Sequence, residues 1–262
     1  MDNLKSVLIT GATGAIGKSI ARLMAEQNGH SVTILARNED KAKRTTEEIM
    51  RSSGNININY IICDLSRKKE IIEVANNWSG SLHILINDAG VTPRKRLETP
   101  EGIEMQWATN VLGYFWMMKY FTPMLEKSQS SRIVNVASYW AGDMDMNDLE
   151  FKQRYYNNDT AYRQTKQANR MLTVAFANRL KTKGIAVNAC HPGDVRSTLA
   201  SNLGYGGHES PDQGAATPVW LATSAELKGI TGKYFEHLQE SRCRFGEDFN
   251  KVEMLYEICE RY

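Results

Sequence analysis

No apolar run in this sequence is long enough to cross a bilayer. The longest covers residues 111–118, far short of the roughly 20 residues a membrane-spanning helix needs, so no integral membrane segment is expected. Paired cysteines are also missing. Cys63, Cys190, Cys243 and Cys259 lie far apart, without the close spacing of zinc or redox motifs, which points to free thiols in a reducing compartment. The histidines show no ligand spacing either, and no metal is expected. An excess of charge of one sign is absent: 32 Lys and Arg stand against 30 Asp and Glu. That balance gives no field to draw a nucleic acid or an anionic membrane surface. Nor does a leader fit the amino end, where Met1-Asp2-Asn3 runs into a strand-like stretch. These absences leave a cytoplasmic globular protein whose partner is a small molecule held in a site.

What is present is an alternation. Ser6-Val7-Leu8-Ile9 is a continuous apolar run suited to a strand buried on both faces. Similar runs fall at 31–36, 56–62, 82–86, 132–136, 185–189 and 232–235, with helical stretches such as 39–50 and 161–180 between them. Strands and helices in that order form a mostly parallel, doubly wound α/β sheet, here of seven strands, with helices on both faces and right-handed crossovers. No composition break or repeat divides residues 1–262, so one domain is expected. In such a sheet ligands gather at the carboxyl ends of the strands. Trp107 and Trp116, on one helix, are expected in the core.

Three of those strand ends carry suggestive residues. After the first strand comes Thr10-Gly11-Ala12-Thr13-Gly14-Ala15-Ile16-Gly17, a glycine turn opening a helix. Its backbone can approach a pyrophosphate while the free amides of the helix start stabilise the charge. After the second strand, where NAD-binding sites usually present a carboxylate, stand Ala36 and Arg37. A guanidinium there suits the 2′-phosphate of NADP(H), with Lys18 a second candidate charge. Asp64, after the third strand, either accepts from an adenine amino group or caps the next helix. Further along, Tyr162 and Lys166 are four apart on a helix and so share a face. A phenol has an unperturbed pKa of about 10, and a neighbouring cation favours the phenolate, making Tyr162 a usable acid or base.

Taken together, Thr10 through Gly17, Asn87-Asp88-Ala89-Gly90, Asn110, Ser138, Tyr162 with Lys166 and His191-Pro192-Gly193-Asp194-Val195 resemble the motifs of the short-chain dehydrogenase/reductase family, in the same order. Ala36-Arg37, the long interval from Ser138 to Tyr162 and the His191-Pro192-Gly193 turn are most similar to its retinol dehydrogenase and WW-domain oxidoreductase branch. The resemblance implies a Rossmann-type domain, with residues 1–136 mainly binding the cofactor and 137–262 carrying catalysis and substrate. It implies an NADP(H)-dependent oxidoreductase in which Tyr162 exchanges the proton and Ser138 fixes the substrate oxygen. Lys166 would hold the nicotinamide ribose and lower the Tyr162 pKa, and Asn110 would hold a water behind it. The cofactor set is then Gly11, Thr13, Gly14, Ala15, Ile16, Gly17, Arg37, Asp64, Leu65, Asn87, Ala89, Gly90, Tyr162, Lys166, Pro192, Gly193 and Val195. A homo-oligomer is compatible with the resemblance.

There are departures. Ala15 occupies the place of the common middle glycine, with Gly14 one residue earlier, a spacing shared with nucleotide-sugar epimerases. Asp88 stands where the family usually has a second asparagine. A non-catalytic NADP(H) sensor is a further alternative, against which the retained Tyr162, Lys166, Ser138 and Asn110 argue. The segment 197–214, with Leu199, Leu203 and Tyr205 among glycines, is expected to be a lid. Tyr139, Trp140, Met144 and Met146 are expected to form an apolar wall that suits an uncharged aldehyde, ketone or alcohol.

Overall fold

The computed structural model describes residues 4–262; the reading of the amino end at Met1-Asp2-Asn3 lies outside them. In chain order the elements are β1 (Lys5–Thr10), α1 (Ala15–Glu26), β2 (His30–Ala36), α2 (Glu39–Ser53), β3 (Ile58–Ile62), α3 (Lys68–Asn77) and β4 (Ile84–Asn87). A π-helical turn at Trp107–Leu112 then leads into α4 (Gly113–Glu126), followed by β5 (Ser131–Val136), α5 (Asn158–Leu180) and β6 (Ile185–Cys190). The chain continues with α6 (Thr198–Asn202), α7 (Pro211–Thr223), β7 (Tyr234–Glu236), β8 (Gln239–Ser241) and α8 (Phe249–Arg261). The strands form one sheet in the order β3-β2-β1-β4-β5-β6-β7-β8, so β1 and β4 are spatial neighbours from which the chain winds outward in opposite directions. The crevice between their carboxyl ends is the switch point where ligands bind in such sheets.

The apolar runs become the buried strands because helices cover both faces. On one side Trp107, Phe115, Trp116, Phe121, Leu172 and Phe176 pack with Leu8, Leu85 and Ile133. On the other, Ile20, Met24, Val219 and Leu221 pack with Val7, Ile9, Ile34 and Ile86. Both tryptophans are fully buried, as expected for core residues.

Two elements differ from the sequence reading. The sheet has an eighth strand, β8, antiparallel to β7, where seven were expected. The hairpin turns through His237 and Leu238, both left-handed at φ 48° and 62°. Tight hairpins normally announce themselves by Asn-Gly or Gly at those positions, and this pair carries no such mark. The catalytic-helix candidate also starts earlier than residue 161, because Asn157 accepts a hydrogen bond from the Thr160 amide at 2.9 Å and caps α5 there. Outside α5 lies α8. Tyr256 stacks edge-on against Phe115 and Phe176 at 5.1 and 5.3 Å, while Arg179 holds Glu253 and Lys119 holds Glu260.

Candidate functional site

The glycine turn is built to bring backbone close to a ligand. Gly11 is left-handed at φ 75°, and a Cβ there would lie 2.7 Å from the Ala89 backbone. A Cβ on Gly17 would lie 2.4 Å from Gly11 O, so α1 can approach β1 only through glycine. Helix α1 begins after Gly14 with no side-chain cap and no acid in its first turn. Its amide end is therefore open to an anion, with Thr13 and Gly14 exposed and Ala15 and Ile16 half-buried around it. These features fit the diphosphate of a dinucleotide.

Across the switch point, α5 carries Tyr162 and Lys166 one turn apart, 8% and 3% exposed. Lys166 Nζ donates to Val136 O at 2.8 Å, and the Tyr114 hydroxyl donates to the same carbonyl at 3.3 Å. The ammonium lies 5.6 Å from the ring centres of both Tyr162 and Tyr114. Ser138, just beyond β5, faces the Tyr162 hydroxyl within hydrogen-bonding reach and accepts from the Trp140 amide at 3.0 Å. Behind this cluster Asn87 donates to Asn135 at 2.9 Å, and Asn135 to Thr173 at 2.9 Å, so buried amides pin β4, β5 and α5 together.

The electrostatics differ from the expected cation-lowered phenol. Burial pushes the Tyr162 pKa well above 10, the Ser138 hydrogen bond opposes that, and the charges of Asp88, Asp159 and Asp194 raise it further. Lys166 moves the other way: burial lowers its pKa and Asp88 counteracts. A desolvated ammonium held by a carbonyl does not outweigh the cost of burying a phenolate. Tyr162 is thus a protonated donor in this state.

The other residues named from the sequence fall into two groups. Pro192, Gly193, Val195, Ala89 and Gly90 border the same crevice, with Leu199 of α6 reaching to within 3.3 Å of a Cβ placed on Gly90. Arg37 is exposed beyond β2. Lys18 instead pairs with Glu48 of α2. Asn87 is turned inward to Asn135 and offers no side chain to a ligand. Leu65 likewise buries its side chain in the core and leaves only backbone available. Asp64 accepts from the Ser66 amide and hydroxyl at 2.9 and 2.8 Å, the turn-forming role. Asn110, in the π turn, accepts from the Val91 amide at 2.8 Å and donates to Val91 O at 3.0 Å. Its side chain is committed to holding the loop after β4 rather than free for a water.

Next to Tyr162 and Ser138 opens a cavity of about 230 Å³. Tyr139, Trp140, Leu199, Ala200, Leu203 and Tyr205 give it an apolar lining. Met144 and Met146, expected in that wall, pack instead against the main core. His191 also lines it, and burial pushes its pKa down to about 4, so it enters as a neutral ring. The expected lid is partly regular: Ser197 caps α6, Tyr205 reaches Asp159 at 3.2 Å, and residues 211–214 already belong to α7. Sequence reasoning missed Asp88 and Tyr114 as neighbours of Lys166, and the π turn under Asn110. The only hint was the acid inside the Asn-Asp-Ala-Gly motif.

A family model described as short chain dehydrogenase matches residues 5–205. Human retinol dehydrogenase 13 is 33% identical over 90% of this chain and 77% of its own length. Mouse retinol dehydrogenase 12 is 34% identical over 88% and 77%. Among solved structures, an uncharacterized protein from Mycobacterium paratuberculosis superposes with a TM-score of 0.82 at 25% identity, covering 98% of this chain and 92% of that one. A singly substituted actinorhodin polyketide ketoreductase, solved with NADPH, has the same fold at a TM-score of 0.70 and 24% identity, covering 94% of this chain and 99% of that one. Among the described residues no helix is long and apolar enough to cross a membrane.

Proposed function

Because this chain belongs to the short-chain dehydrogenase family, its members being nicotinamide-dependent oxidoreductases, we propose that it uses NADP(H) to interconvert apolar aldehydes or ketones and their alcohols. The observation that carries this reading is the buried Tyr162 hydroxyl, within reach of Ser138 at the edge of an apolar cavity. When bound, the cofactor supplies the hydride. In reduction the substrate oxygen accepts hydrogen bonds from Ser138 and Tyr162, and the Tyr162 O–H proton passes to it as negative charge develops. The resulting phenolate is stabilised by Ser138 and the nearby Lys166 ammonium until solvent returns the proton. In oxidation the same groups act in reverse. Asn110 positions the loop that carries Ala89 and Gly90, and α6 with the following loop excludes water. Four free thiols among the described residues accord with a cytoplasmic setting.

Cofactor choice rests on Arg37. One charge-assisted contact to a 2′-phosphate contributes roughly 1.5–3 kcal/mol, so NADPH is expected to bind about ten- to a hundredfold more tightly than NADH. Arg37→Asp should reverse the order, because a carboxylate repels the phosphate and accepts from the ribose hydroxyls. Calorimetric titration with both cofactors decides it; equal affinities in the unchanged protein contradict this role for Arg37.

Substrate class rests on the cavity, where aromatic and aliphatic groups are joined by Ser138, Ser197, His191, His208 and one carboxylate, Asp194, with no lysine or arginine to pair an anionic substrate. Each methylene buried there contributes about 0.8 kcal/mol, so kcat/KM with NADPH is expected to rise roughly fourfold per carbon along an aldehyde series until the cavity is full. A flat series, or a preference for sugars or keto acids, rules the apolar substrate out.

A further inference from the structure

Where the apolar cavity opens to solvent, two aromatic side chains from distant parts of the chain stand side by side. Trp140 follows β5 and Tyr205 follows α6; they are 37% and 45% exposed, both line the cavity, and their rings meet edge-on at 5.8 Å. Half-exposed rings on loops have several rotamers open to them, and packing alone would not hold them in one place. A third residue does so. The Trp140 indole Nε1 and the Tyr205 hydroxyl both donate to the same oxygen of Asp159, Oδ1, at 2.9 and 3.2 Å.

Asp159 can reach both because of where it sits. It belongs to the first turn of α5, which Asn157 caps, three residues before Tyr162 and so on the same face of the helix. Beside it, Asn158 Nδ2 donates at 3.1 Å to the carbonyl of Asn202, the last residue of α6. The Tyr205 amide donates in turn to Ala200 O at 2.9 Å, so α6 and Tyr205 form one body docked on the start of α5. Further along, the His208 amide ties the segment to Asp194 O at 2.7 Å. Between these anchors the chain is open around Tyr205: a Cβ added at Gly204 or Gly206 would meet nothing within 4 Å. The ring of Tyr205 is therefore placed by its hydroxyl bond and by Trp140. Trp140 is steadied from another side by the Arg163 guanidinium, 5.0 Å from its ring and paired with Asp143. Hydrogen bonds to a carboxylate are stronger than neutral ones, which suits Asp159 to fixing two exposed side chains.

We propose that Asp159 is a positioning residue for substrate choice: by receiving both donors it joins Trp140 and Tyr205 into one wall across the mouth of the cavity, against which the far end of a long apolar substrate packs. The inference rests on the reading of the chain as a reductase of apolar carbonyls and adds the residue that sets how long a substrate the cavity rewards. A short aldehyde held at Ser138 and Tyr162 ends before the mouth and does not touch the wall. A longer one does, and each methylene that loses this contact returns to water.

The test is steady-state reduction of a straight-chain aldehyde series with NADPH by the unchanged protein, Asp159→Ala and Asp159→Asn, with kcat and KM read separately at each length. Alanine removes the shared acceptor. Asparagine removes the charge but keeps an Oδ1 that can receive both donors. Asp159→Ala is expected to raise KM about tenfold for the longest aldehydes, the loss of roughly two buried methylenes, and to leave kcat and KM for the shortest within about twofold. Asp159→Asn should stay within about threefold of the unchanged protein at every length. Tyr205→Phe, which removes one donor, should repeat part of the long-chain loss and add nothing to Asp159→Ala in the double variant. Equal losses in the alanine and asparagine variants would trace the effect to the negative charge felt by Tyr162 and overturn the proposal. So would a loss by one constant factor at all lengths, which a merely structural role in the first turn of α5 produces, or additive losses in the double variant. An unchanged protein that reduces none of the series, or shows no dependence on length, removes the apolar-carbonyl reading together with this inference. A length dependence that Asp159→Ala leaves as it was removes only the inference.

Discussion

Tyr162→Phe is expected to lower kcat by about 10² to 10⁴ while leaving NADPH affinity nearly unchanged, because the ring stays in its packed position and only the transferable proton is lost. Tyr162 is almost wholly buried, its hydroxyl is shared with Ser138, and its pKa is raised, so at neutral pH it carries the proton a carbonyl oxygen needs. A phenylalanine makes the same apolar contacts and offers nothing to transfer. Steady-state reduction of an apolar aldehyde beside a fluorescence titration of NADPH separates the two effects. Retention of most of the activity would assign proton transfer to another group, and a parallel loss of cofactor binding would mean that the hydroxyl is chiefly structural.

Gly11→Ala is expected to destabilise the fold by about 3 kcal/mol and to abolish cofactor binding. The position combines a left-handed backbone with a backbone neighbour that cannot yield, the Ala89 Cα and N at 2.7 Å from the added carbon. The left-handed conformation alone costs an alanine about 1 kcal/mol. Gly54 separates the two contributions: it is also left-handed, at φ 72°, but has nothing within 4 Å. Gly54→Ala should therefore lose only about 1 kcal/mol and bind NADPH normally. Urea unfolding of the two variants measures the difference, and equal losses would show that the approach of β1 to the turn after β4 is looser than described.

Most of the fold was legible because its determinants are local and repeated. Apolar runs such as Val7-Leu8-Ile9 and Ile84-Leu85-Ile86 can be buried on both faces only in a parallel sheet covered by helices, and the structure places them so. The glycine turn was legible for a similar reason, since the spacing of Gly11, Gly14 and Gly17 reports a backbone requirement directly. What the sequence hid depends on packing between distant segments. Nothing local in Asn110 shows that its amide is held by Val91, or in Met144 and Met146 that they turn toward the core. The spacing of Tyr162 and Lys166 correctly put them on one face, yet the direction of the Tyr162 pKa is decided by burial, which spacing does not report. The His237-Leu238 hairpin was missed because its left-handed residues are imposed by the strands on either side rather than preferred by the turn itself.

The position of α8 bears on how the chain reaches this state during synthesis. Strands β1 to β6, and the helices between them, emerge from the ribosome well before residue 249, so the sheet can assemble while Phe115 and Phe176 still present an uncovered apolar surface on α4 and α5. Tyr256 closes that surface, and Tyr262 then bonds Glu150 at 2.9 Å, linking the last helix to the segment that precedes α5. A nascent chain stalled before α8 thus holds α5 with one side exposed to water, in the condition that invites aggregation or chaperone capture. Helix α8 completes the support of α5 through Tyr256 and Glu253, so a change that loosens α8 would be felt at Tyr162 and Lys166 although neither is altered.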